Sequence, residues 1–335
     1  MRRDYSLPQG TIHRIQVQSE ALKSNMLGDH TLRDVDVYVP HGHDGAGLPI
    51  IIDLAGYTGS GLSRTSWKGF DENLPARLDR LIAKGEMKPA VMVFPDCFTR
   101  LGGNQYINSL AMGNWADFLI GELLPQIETQ FGCGGTGMRG VIGKSSGGYA
   151  AMIHGMLYAD TWSAIACHSG DMGFEMAYLP DMPKALRAIA KHDNSIEKFV
   201  RAVDGNHNPS HDDIHALMIL AMAATYDPDP NAFCGIRLPV DMHTCELDQA
   251  RWDAWLEWDP MHIFDQHVDD LKSLKGIWVD CGDVDQFNFV YVARRMQNKL
   301  KSAGVDHVYE EFPDNHFSID YRYDRSLPFL ADRLS

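Results

Sequence analysis

The sequence is short of the features that put a protein in a membrane, on a nucleic acid or around a metal. No apolar run reaches the roughly 18–20 residues that span a bilayer; the longest, Ala216 to Thr225, reads as a buried helix. Two basic residues open Met1-Arg2-Arg3-Asp4-Tyr5-Ser6, but no apolar stretch follows them, so a secretory signal is not expected. Positive charge is scarce: 30 Lys and Arg against 45 Asp and Glu leave a formal charge of −15, which argues against nucleic acid or an anionic membrane as partner. Cysteine is sparse and scattered at Cys97, Cys133, Cys167, Cys234, Cys245 and Cys281, with no C-x-x-C pair. Reduced structural thiols are therefore expected rather than disulfides or zinc, and with them a cytoplasmic location. Gly59-Ser60-Gly61 lacks the third glycine and following helix of a dinucleotide fingerprint, so no cofactor is expected. His211 and His215 stand at i, i+4 on a helix, but no third ligand is identifiable and no metal is expected.

What the chain has is an alternation of strands and helices. Apolar β-branched runs predict strands at Thr11 to Gln18, Val35 to Val39, Leu48 to Gly56, Ala90 to Phe94, Ser163 to Cys167, Gly276 to Cys281 and His307 to Glu311. Val35, Val37 and Val39 alternate with polar partners, the pattern of a half-exposed strand. Pro75 opens a helix that Gly85 ends, and the stretch from Trp115 to Phe131 has helical spacing with Pro125 expected to kink it. From about Asp171 to His267 the pattern becomes helical. Ser210 with Asp213 predicts a capped helix start there, and Trp252, Trp255 and Trp258 read as a core face.

The stretch around which the rest is organised is Gly140-Val141-Ile142-Gly143-Lys144-Ser145-Ser146-Gly147-Gly148-Tyr149. It reads as strand, sharp turn and helix, with Gly143-Lys144-Ser145-Ser146-Gly147 forming G-x-S-x-G across the turn. Such a turn crowds its neighbours, and glycines at its flanks relieve the crowding. Ser145 then stands at a helix N-terminus, where backbone N–H groups face any developing oxyanion.

An activated serine needs a base within hydrogen-bond reach and a third group that orients the base. Asp283 and Asp285 both lie in a loop just after a buried strand, and His316 lies just after the last strand. These positions share the strand-end edge with Ser145, the edge where open α/β sheets place their sites. Position alone leaves both aspartates open. Asp280 belongs to the strand itself, and His307 opens a strand rather than following one. A second oxyanion donor is expected from the backbone of Gly56 or Tyr57, beside that of Ser146.

In order and spacing these pieces resemble the esterase branch of the α/β-hydrolases, which includes S-formylglutathione hydrolase (esterase D), enterochelin-esterase-like proteins and mycolyltransferases. The resemblance is carried by Val37-Tyr38-Val39-Pro40, Leu54-Ala55-Gly56-Tyr57, Tyr106-Ile107-Asn108-Ser109, Glu122-Leu123-Leu124-Pro125, the G-x-S-x-G stretch, Gly282-x-x-Asp285 and His316. It implies Ser145, Asp285 and His316 as a catalytic triad and the N–H groups of Tyr57 and Ser146 as the oxyanion hole. It also implies an α/β-hydrolase fold with a mainly parallel sheet of about eight strands. The implied activity is hydrolysis of a small ester or thioester through an acyl-enzyme. Acyl transfer to an alcohol, and a binding protein on a hydrolase scaffold, are the alternatives. Esterase D-like sequences carry Leu-Ser-Gly-Leu-Thr-Cys where this chain has Leu54-Ala55-Gly56-Tyr57-Thr58-Gly59, and they lack an insertion of this size.

The expected organisation is a core of residues 1–170 and 268–335 and a helical cap of residues 171–267. The cap's central helix, from Ala216 to Ala224, is apolar all round and must be buried against neighbouring helices, a pocket or a second copy of the chain. Met218 and Met222, four apart on one face, are expected to line the substrate pocket.

Overall fold

The computed structural model describes residues 4–335, so the basic pair Arg2-Arg3 lies outside the described residues. Eight strands form one sheet: β1 Thr11–Gln18, β2 Leu32–Val39, β3 Ile50–Leu54, β4 Val91–Pro95, β5 Arg139–Lys144, β6 Ala164–His168, β7 Gly276–Gly282 and β8 Val308–Phe312. Their spatial order is β1-β2-β4-β3-β5-β6-β7-β8. β2 runs antiparallel to both its neighbours, and every other pair is parallel. β3, β4, β6 and β7 are buried at every residue because helices cover both faces, which is why they read as unbroken apolar runs. This is the α/β-hydrolase architecture.

Two local expectations need correction. β2 is not half-exposed; from Val35 onward it is buried throughout. The helix Gly61–Thr65 packs over it, and the buried Asp36 is satisfied by Arg14 Nε at 2.7 Å and Thr65 Oγ1 at 2.5 Å. The second concerns Pro125. The chain yields ahead of the proline, in a π-helical stretch over Phe118–Leu123, where the Leu124 N–H reaches back five residues to Leu119 O. An α-helix then resumes over Leu124–Phe131 with Pro125 in its first turn, where a missing N–H costs nothing.

Between β6 and β7 the regular elements are all helices, separated by irregular stretches such as residues 236–248. The longest helix, His211–Tyr226, opens on a complete capping box between Ser210 and Asp213. From Ala216 onward every residue of this helix is buried except Met218. Trp252 and Trp255 pack against each other in the core, their ring centres 5.7 Å apart and their planes tilted by 36°. The loops after β3, β5, β6, β7 and β8 all emerge at one edge of the sheet. That edge gathers the residues described next.

Candidate active site

β5 ends at Lys144 and the helix Ser146–Leu157 begins at once, so Ser145 alone turns the chain. It does so at φ 59°, ψ −121°, a conformation that costs a non-glycine residue on the order of 1–3 kcal/mol. The surrounding packing enforces it. A Cβ at Gly147 would stand 1.8 Å from the Leu54 carbonyl oxygen, and one at Gly143 would stand 2.4 Å from Gly147. The two glycines of the motif are thus where strand and helix touch.

His316 follows β8, and its Nδ1 lies 2.7 Å from Asp285 Oδ2. Asp285 also accepts from the Phe287 N–H at 2.9 Å, which fixes the carboxylate in its loop. Both residues are buried, and Phe287, Phe289 and Phe317 pack their rings around the imidazole. With Nδ1 turned to Asp285, Nε2 is the ring nitrogen left for chemistry. Asp283 is exposed, and it is Asp285 whose carboxylate meets the imidazole.

The Ser145 hydroxyl does not donate to His316 in this state. It donates to Asp171 Oδ1 at 3.1 Å. Asp171 is 2% exposed, and its other oxygen accepts from Ser146 Oγ at 3.1 Å and Tyr178 Oη at 3.3 Å. Burial raises its pKa above the usual aspartate value, outweighing the nearby His316 and the serine hydroxyls that favour its ionised form.

After β3, the backbone of Tyr57 is held from both sides. Its carbonyl accepts from the Gly103 N–H at 2.7 Å, and its hydroxyl donates to the Leu101 carbonyl. Ser146 is the first residue of its helix, so its N–H has no acceptor within that helix. Gly56, Tyr57, Ser145, His316 and Met218 line one cavity of about 320 Å³. Lys144 and Phe317 line it too, with Lys144 Nζ 5.5 Å from the centre of the Phe317 ring. Met222 does not line it. That side chain is fully buried, with Sδ 3.0 Å from Gln105 Nε2, because one turn of helix carries it from the cavity into the core. His211 and His215 line the cavity wall, and His215 Nε2 lies 2.7 Å from Asp181 Oδ2. Among the described residues the grouping with metal-like spacing is Glu175, Asp259 and His262. There Asp259 already accepts from the N–H groups of Gly173, Phe174 and Met261, as a structural cap does.

A model of the family described as Putative esterase matches residues 24–324. The chain belongs to this family. The esterase has no match in sequence among curated proteins. Its fold is that of several solved structures. A ferulic acid esterase is 18% identical with a TM-score of 0.62, the alignment covering 97% of this chain and 99% of that one. An S-formylglutathione hydrolase from Agrobacterium tumefaciens is 15% identical with a TM-score of 0.59, covering 98% and 96%. The fluorophosphonate-binding serine hydrolase F of Staphylococcus aureus is 12% identical with a TM-score of 0.58, covering 96% and 99%. The chain is an enzyme of serine-esterase chemistry that acts on small esters.

The esterase also holds a hydrogen-bonded Ser-His-Asp array at Ser326, His168 and Asp280. His168 Nδ1 lies 2.6 Å from Asp280 Oδ1, and His168 Nε2 lies 2.8 Å from Ser326 Oγ. All three are completely buried, and His168 stacks on Tyr323. This array ties the helix Tyr323–Leu334 to the sheet. Sequence alone does not single out Asp171 or Lys144, which the fold brings to Ser145 and to its cavity. Asp171 had a usable signal, an acid three residues beyond the end of β6 on the edge where Ser145 sits.

Proposed function

We propose that Ser145 is the nucleophile of this esterase, His316 its base, Asp285 the acid that orients the base, and the N–H groups of Tyr57 and Ser146 the oxyanion hole. The observation that carries the reading is the strained Ser145 on the wall of the same cavity as an imidazole whose Nδ1 is already held by a buried carboxylate. The Ser145 hydroxyl leaves Asp171, gives its proton to His316 Nε2 and attacks the ester carbonyl. Asp285 keeps the imidazole in the tautomer that can accept that proton and stabilises the imidazolium that follows. The two N–H groups meet the negative charge on the tetrahedral oxygen. His316 returns the proton to the departing alcohol, and water then releases the acyl group from Ser145.

Residues 171–267 act as a cap on this site, a role supported by the wall that Ile214, His215 and Met218 contribute to the cavity. The six unpaired cysteines accord with a reducing cytoplasm, and the net charge of −15 with a small-molecule partner rather than nucleic acid. No helix among the described residues is long and apolar enough to cross a membrane. The test is covalent labelling with a neutral fluorophosphonate. The wild-type protein is expected to label and the Ser145→Ala protein to remain unlabelled, with the two melting alike. Labelling of Ser145→Ala at the wild-type rate would remove Ser145 from the reaction.

A further inference from the structure

Among the described residues no acidic one lines the cavity that holds Ser145, in a protein with 15 more acids than bases. Its basic groups are Lys144, His211, His215 and His316. Two of these are already matched, His215 by Asp181 at 2.7 Å and His316 by Asp285 at 2.7 Å. Lys144 is different. It is half-buried, yet among the described residues no carboxylate forms an ion pair with it. Asp320, the acid that acts on it most strongly, is taken up by Lys68 at 2.6 Å and Arg64 at 3.3 Å. Asp285 and Asp171 also act on it from a distance, but they are engaged with His316 and with the two serines, and the Arg64 cation opposes them. Other buried cations in this fold meet carboxylates directly, as Arg64 meets Asp53 at 2.7 Å and Arg80 meets Glu72 at 2.9 Å.

Removing an ammonium from water without a partner is unfavourable, and burial does push the Lys144 pKa below the ordinary lysine value. The face of Phe317 offers only partial compensation. An anion entering the cavity would supply the missing charge at close range, in a low-dielectric pocket where such a pair is strong.

The side of the cavity on which the cation stands indicates which part of the ester carries the anion. Lys144 Nζ lies over Phe317, which adjoins His316 in the chain with its ring 5.7 Å from the imidazole. In acyl transfer the imidazole hands its proton to the leaving oxygen, so the alcohol portion departs on the imidazole side. We propose that the substrate of this site is an ester whose alcohol portion bears a negative charge, and that Lys144 is the residue that selects it. The inference rests on the esterase reading of Ser145, which it extends to a substrate class.

The test uses two esters that differ only in charge on the alcohol side, 4-acetoxybenzoate and its methyl ester. The ratio of their kcat/KM values is compared between the wild-type, Lys144→Met and Lys144→Arg proteins, so that intrinsic reactivity cancels. The preference for the anionic ester is expected to fall at least tenfold in Lys144→Met, mainly through KM, and to return in part in Lys144→Arg. An unchanged ratio would overturn the proposal. A second arm needs no turnover. The Ser145→Ala protein is titrated calorimetrically with 4-hydroxybenzoate and with methyl 4-hydroxybenzoate. The acid is expected to bind more tightly, and Lys144→Met in that background to abolish the difference. Equal or weaker binding of the acid overturns the anion site. Failure of the esterase reading instead appears as an unlabelled Ser145 with neither ester hydrolysed, while the calorimetric difference is read independently.

Discussion

Ser145 Oγ donates its proton to Asp171 Oδ1 across 3.1 Å, so the hydroxyl rests on an acid that is not the partner of His316. Asp171 is the first residue past the Ser169-Gly170 turn after β6, and it also receives Ser146 and Tyr178. It therefore bridges the nucleophile turn to the first helices of the insertion. In the proposed reaction the hydroxyl turns from Asp171 to His316.

Replacing Asp171 by Asn keeps the shape and removes the charge. A neutral amide oxygen holds the hydroxyl less firmly than a carboxylate, so kcat/KM in Asp171→Asn is expected to stay within about tenfold of wild type. Stability should respond to pH. A carboxyl whose pKa rises on folding stabilises the fold most when protonated, and that contribution is complete below the ordinary aspartate value of 3.8. It is lost as pH rises through the folded value. The melting temperature of wild type relative to Asp171→Asn should therefore fall between acid and neutral pH. A loss of activity as severe as that of Asp285→Asn would make Asp171 the orienting acid instead.

Asp285→Asn is expected to lower kcat by about 10⁴-fold, the scale seen when a triad acid becomes an amide and the histidine takes the wrong tautomer. Asp283→Asn, exposed and two residues away, should change kcat by less than threefold, roughly the scatter of a neutral surface change. Steady-state kinetics on one short ester compares the two directly.

His154 gives the fold a sensitivity to acid. Its Nε2–H donates to the Tyr106 carbonyl at 2.8 Å while Nδ1 accepts from Trp162 Nε1 at 3.0 Å, an arrangement only the neutral ring can satisfy. Burial lowers its pKa from 6.5 to about 4. Stability from this group is fully present above the unfolded value of 6.5 and is lost as pH falls towards 4. The loss is on the order of 3 kcal/mol. Denaturant midpoints measured at pH 7 and pH 4.5 should converge in His154→Gln, which can make the same two bonds without titrating. An unaltered pH dependence in that variant would locate the acid sensitivity elsewhere.

Met218→Ala should open the cavity and shift the preference among p-nitrophenyl esters from short acyl chains towards longer ones. Met222→Ala should leave that profile where it is and lower stability by about 2–5 kcal/mol, the usual result of emptying a core site. A profile that moves with Met222 but not with Met218 would contradict the way the two side chains divide between cavity and core.

The strands were legible because a strand buried on both faces has to be apolar throughout, as Ile50-Ile51-Ile52 is. The nucleophile turn was legible because its sterics admit so few residues at Gly143 and Gly147. β2 was misread because alternation reports which residues are polar and not whether a partner buries them, and Arg14 and Thr65 bury Asp36. Spacing could not choose between Asp283 and Asp285. The choice depends on the fold of the loop, where Phe287 N–H pins the Asp285 carboxylate facing His316. Asp171 depends on a contact between distant glycines. A Cβ at Gly148 would come within 2.9 Å of Gly170, and this close approach sets the acid against Ser145.

The long helix His211–Tyr226 is sealed from Ala216 onward at every position but Met218. Under the proposed reading, a library randomised at Met218 would vary the cavity wall, whereas the sealed positions of the same helix answer to the core alone.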